Sequence, residues 1–188
     1  TMLCNWPRMS PVARDVCAGL DYAHGLRDEQ GQPLEIVNRD VSPGNVMMSW
    51  AGEVKLIDFG IAQTTIDVRA QIGTIKGKLN YMSPEQIRGL PVDPRSDVFA
   101  VGVMLYECLL GTTPFDGPDG YAIGYKHVHE LPTPLQNVAP HLSRRLCEIT
   151  MRCLEKSPDA RFQRGHDLAR AIYDWMHDEG VYDEPPAR

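Results

Sequence analysis

Three polar residues in one stretch of the chain have the types and spacing to do chemistry together. Asp40 lies in a polar loop, Asn45 follows five residues later, and Asp58 ends the short apolar run Val54–Ile57. A carboxylate can align a hydroxyl and accept its proton. A second carboxylate and an amide oxygen are hard donors of the kind that hold magnesium on a nucleoside triphosphate. Phosphoryl transfer leaves little covalent work for a protein, so positioning and charge neutralisation suffice, and these side chains supply both. The stretch reads Ile36-Val37-Asn38-Arg39-Asp40-Val41-Ser42-Pro43-Gly44-Asn45-Val46-Met47-Met48, turns at Trp50–Gly52, and continues Glu53-Val54-Lys55-Leu56-Ile57-Asp58-Phe59-Gly60.

The elements that must position these residues are legible as periodicity. Ser10 and Pro11 have the types of an N-cap and a first helical residue, and Val12, Val16, Leu20 and Ala23 then recur at helical spacing towards an end near 24–26. Leu34–Val37, Val46–Ser49 and Val54–Ile57 are short runs with β-branched residues, and Ala51-Gly52 is a hairpin turn between the last two, so strands are predicted around the polar loop. From 61 to 80 the periodicity is lost and Thr, Gly and Lys accumulate, which predicts a loop. Ser96–Leu110 is apolar nearly all round and reads as a buried helix; it is too short, and too closely flanked by Asp97 and Glu107, for a membrane span. Asp119–Glu130, Leu142–Leu154 and His166–Met176 read as further helices. A mainly α fold with short β-hairpins is predicted, as one domain over 1–178, with an acidic, proline-containing and disordered tail over 179–188.

Charge and cysteine content narrow the partners. The net charge of −6 comes with no basic run, which leaves no electrostatic footprint for nucleic acid or an anionic membrane; a peptide or protein partner fits better. The five cysteines are odd in number and scattered, as expected of reduced core residues in a cytoplasmic protein. There is no Cys-x-x-Cys or His-Glu-x-x-His, and His127 and His129, two apart, cannot share a helix face, so a zinc site is not expected. No signal peptide opens the chain and Thr1 is not an initiator Met, so the chain is expected to begin inside a longer reading frame, whose product could be membrane-tethered elsewhere.

Asn38-Arg39-Asp40 with Asn45, followed by Asp58-Phe59-Gly60, resembles the protein-kinase signature His-Arg-Asp…Asn and Asp-Phe-Gly. Tyr81-Met82-Ser83-Pro84-Glu85 stands where that family has Ala-Pro-Glu and the residues before it. Ser96–Val103 resembles its central helix, Pro158–Phe162 its late arginine motif, and Gly19–His24 the end of the helix leading to its catalytic loop. The form Val-Ser-Pro-x-Asn is similar to a subset of bacterial serine/threonine kinases. The resemblance implies a kinase-like carboxyl-terminal lobe, and ATP with Mg2+, or Mn2+, transferring a phosphoryl group to a protein hydroxyl. It implies Asp40 as the residue that positions the hydroxyl, Asn45 and Asp58 as metal ligands, and Met47 as the floor under the adenine. Arg39 would grip a phosphate on the 61–80 segment, where Thr64, Thr65 and Thr74 are candidate sites and Thr74 is favoured. Phe59 and Gly60 would belong to the switch, Asp97 would tie the catalytic loop to the core, and Glu85 would pair with Arg161.

Departures from the family pattern carry further expectations. Nothing before Asn38 supplies a Gly-rich loop, a strand lysine or its helix glutamate, so an amino-terminal lobe is expected upstream, and this chain alone is expected to have little or no activity. Asn38 replaces the histidine that packs under the Phe of Asp-Phe-Gly, here Phe59, and is expected to loosen that stack. Ser42 stands where a lysine usually reaches the transferred phosphate, and Lys78 stands where a threonine is usual; the Lys78 ammonium is expected to reach the vacated site. The loop after Asp40 lacks the Arg/Ala pattern of tyrosine kinases, so serine/threonine specificity is expected. A second reading, a catalytically inactive lobe that binds partners or acts as a scaffold, needs none of Asp40, Asn45 and Asp58.

Overall fold

The computed structural model describes residues 6–59 and 76–181. Gly60, Thr64, Thr65 and Thr74 lie outside the described residues.

Helix α1, Trp6–His24, begins four residues before the predicted cap, so Ser10 and Pro11 are inside it. Pro11 sits early enough that its missing N–H removes only the bond to the carbonyl of residue 7, and the helix runs through. Its apolar stripe, Val12, Val16, Leu20 and Ala23, is buried. The run Leu34–Val37, predicted as a strand, is irregular: Leu34 is exposed, only Arg27 and Pro33 form an isolated bridge, and Glu35 has φ 49°. Leu34 N donates to Leu26 O at 2.9 Å beside that bridge, and the pairing does not continue as a strand through Val37. Strands β1, Val46–Met48, and β2, Val54–Leu56, pair antiparallel with Val46 opposite Leu56, around the turn at Gly52.

The rest is helical. The short helices α2, Lys76–Leu79, and α3, Pro84–Arg88, precede the long α4, Pro94–Leu110. α4 starts at an Asp93 N-cap, is buried from Ser96 to Tyr106, and stops at Gly111, whose φ of 76° suits a residue without a Cβ. α5, Gly120–His129, α6, Leu135–Val138, α7, Arg144–Cys153, and α8, Gly165–Asp178, surround it. The main core joins Val16 and Leu20 of α1, Val98, Val101 and Leu105 of α4, Leu146 and Ile149 of α7, and Leu168 and Ile172 of α8. Glu179–Val181, assigned to the tail from sequence, instead close α8: Gly180 has φ 66°, Val181 N donates to Met176 O at 2.8 Å, and the Val181 side chain packs on the core.

Cys17, Cys147 and Cys153 are free thiols. Burial pushes the Cys17 pKa well up and that of Cys153 to about 12, which keeps both protonated and inert. Among the described residues no helix is long and apolar enough to cross a membrane.

Candidate active site

The site begins at Asp97, in the first turn of α4 and only 1% exposed. One carboxylate oxygen accepts from Asn38 N at 2.8 Å and lies 2.7 Å from His24 Nε2; the other accepts from Arg39 N at 2.8 Å. A buried carboxylate needs such donors, and these come from the end of α1 and from the polar loop. They hold Arg39 at φ 66°, a left-handed conformation that costs a residue with a Cβ about 1–2 kcal/mol.

Side chains from four places then fix the Arg39–Asp40 backbone. Asp97 takes Arg39 N; Gln86 Nε2 of α3 donates to Arg39 O at 2.9 Å; Asn38 Oδ1 accepts from Asp40 N at 3.0 Å; and Asn45 Nδ2 donates to Asp40 O at 2.8 Å. The Asn38 bond is an Asx turn, the local closure that asparagine makes most readily. With its backbone fixed, Asp40 presents its carboxylate towards Lys78, whose Nζ donates to Asp40 Oδ2 at 2.7 Å. Lys78 is half exposed, whereas Asp40 is mostly covered.

Asn45 ends the 3-10 turn Pro43–Asn45, and its carbonyl accepts from Ile57 N at 2.9 Å, extending the β1–β2 pairing to the residue before Asp58. Asp58 has φ 54°, is exposed, and has no hydrogen-bonding or ionic partner among the described residues. Asn45 therefore spends its amide N–H on the loop and leaves its oxygen over, while Asp58 leaves its whole carboxylate. Among the described residues no three His, Cys, Asp or Glu side chains converge. Two protein oxygens are nonetheless enough for magnesium, which keeps several waters and takes other ligands from phosphate, so this donor set fits it. Met47 is exposed on the hairpin beside Met48 and Trp50. Phe59 is half-buried.

Away from these groups, Arg161 is fully buried and uses all five guanidinium hydrogens. Nη1 and Nη2 reach the two Glu85 oxygens at 2.7 and 2.9 Å, and the remaining donors reach the carbonyls of Arg95, Lys156 and Glu155. Ser96 Oγ adds a third bond to Glu85 at 2.6 Å. Tyr81 Oη donates to Glu107 at 2.6 Å, fixing the segment before α3 to α4. Two residues of the site were missed from sequence. His24 entered only as the end of a helix, and Gln86 not at all, although Ser-x-x-Gln is a capping-box pattern that could have drawn attention to it.

The chain resembles known proteins over most of its length. The family model described as the protein kinase domain matches residues 5–172. A tyrosine-protein kinase of Myxococcus xanthus, MasK, is 37% identical over 167 residues, which cover 88% of this chain and 26% of that protein. The serine/threonine-protein kinase PknB of Mycolicibacterium smegmatis is 36% identical over 181 residues, 95% of this chain and 28% of that protein. A probable serine/threonine-protein kinase of Corynebacterium efficiens is 37% identical over 161 residues, 82% and 23% respectively. The chain thus spans about a quarter of the length of these relatives.

Proposed function

The chain belongs to the protein kinase family, and from that premise we propose that it is the catalytic-loop lobe of an Mg-ATP-dependent protein serine/threonine kinase. The observation that carries this reading is the Asp40 carboxylate, on a loop whose backbone is fixed on every side and within 2.7 Å of a cation. Asp40 aligns the substrate hydroxyl and accepts its proton as the phosphoryl group is transferred. Asn45 and Asp58 would hold magnesium, which when bound neutralises charge on the phosphates. Lys78 rests on Asp40, and its flexible stem lets the ammonium turn towards the phosphate that Ser42 cannot reach.

Hydroxyl specificity rests on the loop after Asp40, Val41-Ser42-Pro43-Gly44, which lacks the tyrosine-kinase pattern; MasK, named a tyrosine-protein kinase, makes this the point to test. The kinase unit is taken as 1–178, with an amino-terminal lobe upstream and a cytoplasmic setting. Exposed Met47, Met48, Trp50 and Ile57 support such a lobe, since an adenine and a covering domain would bury that apolar surface. The scaffold reading gains nothing from Asn38: in this loop the residue binds the Asp40 amide and so serves the carboxylate.

The test is Asp40→Asn in the full-length protein, assayed on serine-, threonine- and tyrosine-containing peptides with Mg2+ or Mn2+. Loss of transfer by about 10²–10⁴-fold is expected, on serine or threonine peptides. Retained transfer overturns the assignment of Asp40, and transfer to tyrosine alone overturns the specificity.

A further inference from the structure

Gln86 touches no reacting atom in this reading, yet its side chain is the link between the segment before α3 and the loop that carries Asp40. It is 8% exposed. Its oxygen accepts from Ser83 N at 3.0 Å and Ser83 Oγ at 3.1 Å, and Gln86 N donates back to Ser83 Oγ at 3.4 Å, which closes the capping box of α3. Because a backbone N–H must face an acceptor, the amide oxygen is on the Ser83 side. The NH2 is therefore on the other, where it donates to Arg39 O at 2.9 Å. A capping box needs only the oxygen, and glutamate serves there as well as glutamine. The amide donor is thus surplus to the helix and is spent on the peptide that joins strained Arg39 to Asp40.

The geometry points to Gln86 as a positioning residue for catalysis: its amide holds the Arg39 carbonyl and couples the Asn80–Glu85 segment, which the kinase resemblance implies is where a peptide docks, to the orientation of Asp40. The inference rests on the reading of Asp40 given above. Without the Gln86 donor, the peptide between Arg39 and Asp40 keeps the Asn38 bond on its N–H, and Asp97 still holds the preceding N–H of Arg39, but the bond from Gln86 to the Arg39 carbonyl is lost. The Asp40 carboxylate is then less firmly aimed, while the docking segment itself is untouched.

Gln86→Glu separates the two roles, since a carboxylate keeps both bonds from Ser83 and replaces the donor towards Arg39 O with an acceptor. In the full-length protein this variant is expected to melt within a few degrees of wild type. Its kcat is expected to fall about tenfold, with the peptide KM unchanged within about twofold. Amide exchange at Arg39 and Asp40 should quicken while α4 stays protected. Lowering the pH, which protonates the new carboxyl and restores a donor, should return part of kcat relative to wild type. Wild-type kcat and wild-type exchange at Asp40 in Gln86→Glu would reduce Gln86 to a helix cap and overturn the inference. If Gln86→Glu does not fold, Gln86→Met, of similar volume and without charge, is assayed below its melting temperature with the same exchange readout, and unchanged exchange at Asp40 overturns the inference. Asp40→Asn run alongside keeps the two readings apart: if it abolishes transfer while Gln86→Glu keeps wild-type kcat, only the positioning role fails, and if it leaves transfer intact, the assignment of Asp40 itself fails.

Discussion

At Asn38 one side chain stands between two demands. The kinase resemblance implies a place for it under Phe59, as a small substitute for an aromatic ring, and the structure uses its oxygen to hold the Asp40 amide from a fully buried position. Asn38→His exchanges that bond for the ring; a severalfold rise in turnover of the full-length protein is expected, and equal or lower turnover would mean that the bond to Asp40 matters more than the stack. Lys78 poses a similar choice. Its ammonium meets Asp40 at 2.7 Å, so it can shield the developing charge, or it can simply help a peptide dock. Lys78→Ala is expected to lower kcat with little change in peptide KM; altered KM at constant kcat would assign it to docking.

At the scale of elements, the fold rests on two close fits that tolerate little. Arg161 ties α3, the start of α4 and the turn at Pro158–Ala160 together through one guanidinium, and each of its donors has a partner. Removing either member of the Glu85–Arg161 pair leaves a buried charge without its counter-ion, so Glu85→Ala should cost about 3–5 kcal/mol in thermal or urea unfolding. Arg161→Lys should also be costly, because three donors cannot replace five in a fixed fork. The second fit is the crossing of α4 and α7, where a Cβ on Gly102 would lie 2.5 Å from Cys153 Cβ. Alanine normally improves a helix interior by up to about 1 kcal/mol over glycine. Here Gly102→Ala should instead destabilise by about 1–3 kcal/mol, because two backbones must move apart.

For the whole molecule, the buried ionisable groups predict loss of stability in acid. His127 is fully buried against Phe99 and Phe115, with ring centroids 5.8 and 4.6 Å away, and burial, then the nearby Lys156 charge, push its pKa down to about 3. Between its unfolded value near 6.5 and about 3, the unfolded chain binds a proton that the folded chain refuses. Stability therefore falls with pH across that window, by about 1.4 kcal/mol per pH unit at most. Glu85 acts lower down. Burial alone would raise its pKa, but the Arg161 bonds and charge and the Ser96 hydroxyl outweigh that and leave it below the ordinary 4.5. Its stabilisation is complete above the unfolded value and is lost as pH drops through the lower folded one. His127→Phe should therefore flatten the fall in melting temperature between about pH 6.5 and 4.5, while the steeper loss below that remains.

What the sequence determined by itself was whatever is local or periodic. The buried faces of α1 and α4, the hairpin around Gly52, the glycine stop at Gly111 and the order Asp40, Asn45, Asp58 follow from side chains acting on their own stretch of chain. The same local logic misread Leu34–Val37, whose composition suits a strand but whose pairing stops at the Leu34 bond to Leu26, and Ser10-Pro11, whose cap signal gave way to a helix already begun at Trp6. Only the tertiary structure decided that His24 meets Asp97 across 73 positions, that Gln86 reaches Arg39 across 47, and that Lys78 meets Asp40 across 38. Such partners are chosen by where packing brings buried groups whose hydrogen bonds must be satisfied, and no spacing along the chain encodes that choice.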